Sequence, residues 1–195
     1  MNIYNIFIYI LSYLLFAGFF VIERFVRRGK DVKKMGRTAY DRGSTVFISV
    51  VMGAAFIILP LSPLLNWLGV GVILQSAVRI PGLVLGAGGL TVRYVAFTTL
   101  GRFFSRTLRK AEDHALVTGG IYKYIRHPGY LSDFMIFIGI AMSMGNLIAL
   151  VLITVTFVPA YAYRIRVEEK MLIEIFDDQY REYIKTSKRL IPFIL

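Results

Sequence analysis

The sequence predicts an all-α integral membrane protein with about five transmembrane helices. Three observations favour this class: 56% of the 195 residues are hydrophobic, the mean hydropathy is +0.63, and the charged residues cluster between long apolar runs. Soluble domains are usually about 45–50% apolar. The excess argues against a soluble globular domain, and a chain this apolar is not disordered.

The N-terminal half contains three apolar runs, at residues 3–22, 45–68 and 80–100. Each is long enough to cross a bilayer, which takes about 20 residues. The first run lacks a basic leader and a small-residue cleavage site, so we expect an anchor rather than a removable signal peptide. Pro60 and Pro63 predict a kink late in the second run. Glycines in the third run permit close contact between helices: Gly82, Gly86, Gly88 and Gly89.

The last apolar region, residues 130–163, is interrupted at Gly145 and Asn146. The two segments on either side are short for full spans. We therefore predict a tight helical hairpin, tilted or not quite crossing. With the three earlier runs it brings the expected number of spans to five.

The basic residues predict the orientation of these spans. Residues 23–44 hold eight of the 23 lysines and arginines, residues 101–129 hold six, and the tail from Arg164 holds seven. Cytoplasmic loops carry such an excess. We expect the N-terminus outside and both loops and the tail in the cytoplasm, in a bacterial inner membrane or an endoplasmic reticulum. Contact with membrane lipids explains the charge, and no nucleic-acid partner is expected.

The loop before the hairpin carries both histidines of the chain, His114 and His127. Gly119 and Gly120 permit a turn with positive φ. Pro128 suits the first turn of the following helix, which places His127 at its N-terminal edge. Open N–H groups there favour an anionic group. The alternative is that both histidines are polar loop residues near lipid headgroups.

Two charged residues, Arg164 and Glu168, are four positions apart and share one helix face. Glu168 begins an apolar stripe, where a carboxylate at the membrane border needs a partner. Arg166 and Glu169 lie off that stripe, and we expect both to face solvent. Arg164 and Glu168 could equally form a structural ion pair.

Two further charges lie inside apolar runs. Arg93 either reaches the cytoplasmic surface by snorkelling or contacts a substrate or cofactor. Asp133 is expected to pair with a basic loop residue. The absence of cysteine excludes a thiol nucleophile and Cys-ligated metals, and two histidines leave little for another metal site, so none is predicted.

Several short motifs, in this order and spacing, resemble the isoprenylcysteine carboxyl methyltransferase family. The resemblance covers about residues 100–192, and its members are related to the phospholipid methyltransferases. The motifs are Leu100-Gly101-Arg102-Phe103-Phe104, His114-x-Leu-Val-Thr-x-Gly-x-Tyr122, Arg126-His127-Pro128-x-Tyr130, Arg164-x-x-x-Glu168-Glu169 and Tyr180-x-x-Tyr183 continuing to Pro192.

The resemblance implies an integral membrane enzyme that uses S-adenosyl-L-methionine. It implies catalytic roles for Arg164, beside the methyl acceptor and orienting its carboxylate, and for Glu168, which closes the cofactor site. Ser132 departs from the family, which commonly has glycine there. The remaining cofactor contacts that the resemblance implies are His114, Leu116, Val117, Tyr122, His127, Pro128 and Tyr130.

On this interpretation the chain is a single membrane domain, residues 1–195. Residues 1–100 supply three spans, and residues 101–195 form the catalytic half, in which the loop and a C-terminal helix build the cofactor site. The acceptor would be lipophilic, such as an isoprenylated cysteine. A carboxylate is already ionised at pH 7 and needs no general base, whereas an amine, hydroxyl or thiol would need one, for which His127 and Glu168 are the candidates.

Two other functions remain open at this point. The first is a membrane reductase of the steroid 5α-reductase type, in which basic residues would bind the 2′-phosphate of NADPH: Arg102, Arg106, Arg109 and Lys110. The second is a non-catalytic membrane protein whose basic loops hold anionic lipid or a partner.

Overall fold

The fold is a bundle of α-helices, seen in a computed structural model that describes residues 2–26, 41–73, 75–101 and 116–190. A π-helical turn, Ile22–Val26, extends the first helix, and a 3-10 turn, Gly120–Lys123, precedes the fourth. The described residues contain no β-strand, only isolated bridges. The α-helices within the described ranges are α1 (Ile3–Val21), α2 (Ser44–Trp67), α3 (Ser76–Leu100), α4 (Pro128–Met144), α5 (Leu147–Phe176) and α6 (Asp178–Thr186).

Four of these helices, α1, α2, α3 and α5, are long and apolar enough to cross a membrane. The fourth helix, α4, is apolar but has 17 residues. At about 1.5 Å of rise per residue it is shorter than the hydrocarbon core. The helical membrane fold is confirmed, and the count of five spans stays a prediction.

Glycines bring α3 and α4 into close contact. A Cβ atom on Gly139 of α4 would lie 2.5 Å from the backbone nitrogen of Gly86 and 2.7 Å from the carbonyl oxygen of Gly82. A Cβ on Gly89 would lie 2.8 Å from the backbone nitrogen of Ile136. Any larger side chain at these positions would push the helices apart. The glycine-rich third run therefore makes its close contact within the chain.

The interruption predicted at Gly145 and Asn146 is the turn between α4 and α5. Gly145 has a φ of 69°, which favours glycine. The Asn146 side chain accepts a hydrogen bond from the Ala149 N–H at 3.0 Å and so caps α5. Its amide donates to Asn66 Oδ1 at 2.9 Å. The turn is thereby tied to the end of α2.

A core of phenylalanine rings joins four of the helices. Phe19 of α1 packs edge-on against Phe137 of α4, with ring centroids 5.2 Å apart, and Phe137 contacts Phe157 of α5 at 5.3 Å. Phe56 of α2 also contacts Phe137. These contacts set the four helices side by side, and buried polar residues collect where α2 and α4 begin.

Candidate cofactor and acceptor site

The loop before α4 makes the turn that its glycines predict. Gly120 has a φ of 58°, and a Cβ atom there would lie 3.1 Å from Thr99 Cγ2. His127 immediately precedes α4, and Pro128 is the first residue of that helix, as predicted. The loop therefore delivers His127 to the N-terminal end of α4.

Three predicted cofactor residues lie on this loop. Leu116 and Val117 are half-buried, and Val117 packs against a cluster formed by Ala96, Phe97 and Tyr122. Tyr122 is buried. Burial, followed by the negative charge of Glu168, raises the pKa of Tyr122 well above its usual value. Its hydroxyl therefore stays protonated at neutral pH. His114 lies outside the described residues.

Four predicted residues from α4 and α5 come together around one hydroxyl group. The Tyr130 hydroxyl donates to Glu168 Oε2 at 2.6 Å and accepts from Arg164 Nε at 3.1 Å. The His127 ring stacks on Tyr130, with centroids 5.5 Å apart, and its Nδ1 lies 3.7 Å from Glu168 Oε2. We call His127, Tyr130, Arg164 and Glu168 the tyrosine-centred cluster.

Arg164 is also bound by residues at the start of α2. Its Nη1 donates to Asp41 Oδ1 at 2.8 Å, to Ser44 Oγ at 2.8 Å and to Thr45 Oγ1 at 2.9 Å. Burial alone would raise the pKa of Asp41, but hydrogen bonds from Thr45 and Ser44 and the charge of Arg164 outweigh it and lower that pKa. Asp41 therefore stays ionised and fixes the orientation of Arg164.

Sequence reasoning missed Asp41. It lies 123 residues from Arg164, in a loop interpreted only through its basic charge. The available signal was local, because a carboxylate just before a helix can accept from the unpaired N–H groups of its first turn. Asp41 Oδ1 accepts from the Thr45 N–H at 3.1 Å.

Glu168 is the member of the cluster best placed to meet a ligand. Its side chain is 24% exposed, against 4% for His127 and 6% for Arg164. S-adenosylmethionine carries a cationic sulfonium and an α-ammonium group, and a partly exposed carboxylate suits either. The residues present therefore fit the cofactor that the family resemblance implies.

Glu169 corrects an expectation, because it does not face solvent. It is 5% exposed and accepts hydrogen bonds from Arg126 Nε at 3.1 Å and Arg189 Nε at 2.9 Å. Burial opposes the shift, but the hydrogen bond to Glu169 and its charge raise the pKa of Arg189. The position of Glu169 on α5 alone predicts exposure to solvent, whereas the chain after α6 folds back over this face. Arg166 is exposed, as expected.

Arg93 lies in a second buried polar cluster and does not snorkel. Its Nη1 donates to Asp133 Oδ1 at 2.5 Å and to Ser132 Oγ at 3.1 Å, and its Nη2 donates to Glu23 Oε1 at 2.5 Å. Its guanidinium carbon lies 4.4 Å from the ring centroid of Phe19. Asp133, expected to pair with a basic loop residue, pairs with Arg93 of α3. Ser132, the departure from the family pattern, thus contacts Arg93.

Comparison with known proteins finds one family model and several relatives that match part of this chain. Residues 82–174 match the model of the isoprenylcysteine carboxyl methyltransferase family. The protein-S-isoprenylcysteine O-methyltransferase of Schizosaccharomyces pombe is 35% identical over 108 residues, which cover 54% of this chain and 46% of that protein. The Saccharomyces cerevisiae protein of the same name is 39% identical over 115 residues, 58% of this chain and 48% of that protein.

A solved structure has the same fold. The eukaryotic intramembrane Ras methyltransferase ICMT superimposes with a TM-score of 0.63 and 26% identity, covering 75% of this chain and 52% of that one. This chain spans about half the length of the two yeast methyltransferases that it matches. None of these matches supports a reductase or a non-catalytic protein.

The matched region begins within α3, earlier than the motifs indicate, and ends before α6. It contains His127, Tyr130, Arg164 and Glu168, which meet in the tyrosine-centred cluster. The resemblance carried by the motifs is confirmed, because residues 82–174 match the model of the isoprenylcysteine carboxyl methyltransferase family.

Proposed function

We propose that the chain is an integral membrane methyltransferase that moves a methyl group from S-adenosylmethionine to a lipophilic acceptor. The acceptor is the carboxylate of an isoprenylated cysteine, on a prenylated protein or a small molecule, or a similar lipidic acid. The observation that carries the proposal is the tyrosine-centred cluster, in which residues from α4 and α5 meet as the family motif implies. Residues 101–195 form the catalytic half of one membrane domain.

The cofactor would be held on the loop side of this cluster. Leu116, Val117 and Tyr122 would line the site, with Pro128, His127 and Tyr130 at the start of α4, and His114 would complete it from the preceding residues. Glu168 would close it, with its carboxylate facing the cationic end of the cofactor. When bound, S-adenosylmethionine supplies an activated methyl group.

Arg164 would serve the acceptor. A guanidinium matches a carboxylate in geometry and charge, and Asp41 and Tyr130 already fix its orientation. An ionised carboxylate needs no proton removed, so the residues chiefly position the acceptor and exclude water. Such positioning lowers the barrier by several kcal/mol. The acceptor's apolar chain would enter from lipid between α3, α4 and α5.

We further propose that the N-terminus faces outward and that the site faces the cytoplasm, where the basic loops lie. The chain has no cysteine, so single cysteines report topology directly. Lys185→Cys should react with a membrane-impermeant maleimide only after the membrane is opened, in oriented cells or vesicles. Labelling of intact cells would contradict the orientation.

Methyl transfer tests the proposed activity. Detergent-purified protein with labelled S-adenosylmethionine should methylate an N-acetylated S-farnesyl cysteine. The same compound with its carboxylate blocked as the methyl ester is the matched control and should receive no label. Equal labelling of both would contradict a carboxylate acceptor. No labelling of either, by protein that binds S-adenosylhomocysteine, would direct the search to another lipid.

A further inference from the structure

The chain after the matched family region lies against the backbone of the candidate cofactor loop. We call residues 178–190, α6 and the segment that follows it, the C-terminal brace. The Lys188 N–H donates to the Tyr124 carbonyl at 3.0 Å. The Arg126 N–H donates to the Lys188 carbonyl at 2.7 Å, and the His127 N–H donates to the Arg189 carbonyl at 3.1 Å. Residues 124–127 therefore pair with the brace through backbone hydrogen bonds around one isolated parallel bridge, Ile125 to Lys188.

Side chains add to this backbone pairing. The Tyr183 hydroxyl donates to the Tyr122 carbonyl at 2.5 Å, in a buried environment. Burial raises the pKa of Tyr183 to about 12, against the lowering effects of Ser187 and Arg126, so the hydroxyl remains a donor at neutral pH. The Arg126 side chain donates to the Ser187 carbonyl. The brace thus contacts the 3-10 turn at Tyr122 and the residues that follow the turn.

Glu169 ties the brace to α5. One oxygen of its buried carboxylate accepts from Arg126 at 3.1 Å, and the other lies 2.9 Å from Nε and 2.8 Å from Nη2 of Arg189. The guanidinium of Arg189, whose side chain is 54% exposed, thus makes a charge-assisted hydrogen bond to one oxygen of this carboxylate. The His127 Nε2 lies 3.4 Å from Glu169 Oε1. Loop, brace and α5 thus meet at this carboxylate, one residue from Glu168.

We propose that the C-terminal brace holds the cofactor loop in its binding geometry, with Tyr183, Arg189 and Glu169 as positioning residues. The inference rests on the proposed function and extends it to residues beyond position 174, where the family match ends. The brace reaches Tyr122 and His127 through their backbone atoms. It therefore sets the shape of the loop, and the loop side chains contact the cofactor.

Two variants and a matched control test the brace. Tyr183→Phe removes one hydroxyl, and Arg189→Gln removes the paired donors to Glu169. Arg181→Gln is the control, because Arg181 lies on α6 with its side chain 57% exposed and pairs with exposed Asp177. The affinity for S-adenosylhomocysteine is measured by calorimetry, and backbone hydrogen exchange is measured over residues 121–127.

Tyr183→Phe and Arg189→Gln should each weaken S-adenosylhomocysteine binding about tenfold, the scale of one lost buried or charge-assisted hydrogen bond. Exchange over residues 121–127 should become faster in both. Arg189→Lys, which keeps the charge, should lie between wild type and Arg189→Gln. The KM for the acceptor should stay within about twofold, because the hydrogen bonds described above for Arg164 go to Tyr130 and to residues 41–45, outside the brace. Arg181→Gln should match wild type throughout.

An unchanged dissociation constant in both variants, with wild-type protein binding normally, would overturn the brace and leave the proposed function intact. Lower thermal stability without loss of affinity in the folded protein would also overturn it, because the contacts would then be structural. Failure of wild-type protein to bind S-adenosylhomocysteine would overturn the proposed function and the inference together.

Discussion

Two buried arginines, Arg93 and Arg164, occupy similar positions at the same end of the helix bundle. Each is 5% exposed, pairs with a carboxylate and donates to a serine hydroxyl. Both pairs join residues distant in sequence: Arg93 joins α3 to Asp133 of α4, and Arg164 joins α5 to Asp41 before α2. Burial and ion pairing alone therefore do not distinguish Arg93 from Arg164.

Their surroundings differ. The guanidinium of Arg93 lies over the rings of Phe19 and Phe97, at 4.4 and 4.6 Å, and its carboxylate partners Glu23 and Asp133 have side chains 12% and 10% exposed. Arg164 instead donates to Tyr130, which leads to the partly exposed Glu168. A buried charge marks a site only where its network reaches a group that a ligand can touch.

Arg93→Ala should have the largest effect, on stability rather than on binding. Removing the guanidinium leaves the carboxylates of Glu23 and Asp133 without their cation. This should lower the free energy of unfolding by about 3 kcal/mol or more. Thermal unfolding in detergent should show a strongly reduced midpoint, and the protein that remains folded should bind S-adenosylhomocysteine with unchanged affinity. A stable variant that has lost the affinity would place Arg93 in the binding site instead.

Arg164→Ala should chiefly affect turnover. Loss of a group that positions the acceptor should lower kcat/KM about a hundredfold, while the dissociation constant of S-adenosylhomocysteine stays within about twofold. Steady-state methylation and calorimetry measure the two quantities. Arg164→Lys keeps the charge without the planar fork, and its activity should fall between those of Arg164→Ala and wild type. Full activity in Arg164→Ala would exclude its acceptor role.

Asp41→Asn should give the smallest effect of the three. The amide oxygen can still accept from the Thr45 N–H and from Arg164, but it no longer carries the charge that orients the guanidinium. We expect the KM for the acceptor to rise about threefold to tenfold, equivalent to one weakened charge-assisted hydrogen bond. The affinity for S-adenosylhomocysteine serves as the internal control and should not change. If affinity falls and KM does not, Asp41 belongs to the cofactor side.

Local features of this molecule could be predicted from the sequence. The turn at Gly145 and Asn146, the positive φ at Gly120 and the place of His127 before α4 all follow from residue chemistry over a few positions. The meeting of Tyr130, Arg164 and Glu168 was implied by the motifs of the resemblance, because spacing on one helix fixes only Arg164 relative to Glu168.

Contacts between distant segments could not be predicted in the same way. Asp41 contacts Arg164 because α2 packs beside α5. Glu169 is buried because residues 187–190 return to the loop and contact it. A helical periodicity describes one helix and carries no information about a segment that covers it later. The error at Glu169 and the omission of Asp41 share this cause.

The contrast between the two arginine clusters is tested most directly by paired carboxylate variants. Glu168→Gln and Asp133→Asn each remove one negative charge. Glu168 is the partly exposed carboxylate of the Arg164 cluster, and Asp133 is a buried carboxylate of the Arg93 cluster. Calorimetric titration with S-adenosylhomocysteine should show affinity reduced about tenfold in Glu168→Gln and unchanged in folded Asp133→Asn. Wild-type affinity in Glu168→Gln would contradict the assignment of the cofactor site to the tyrosine-centred cluster.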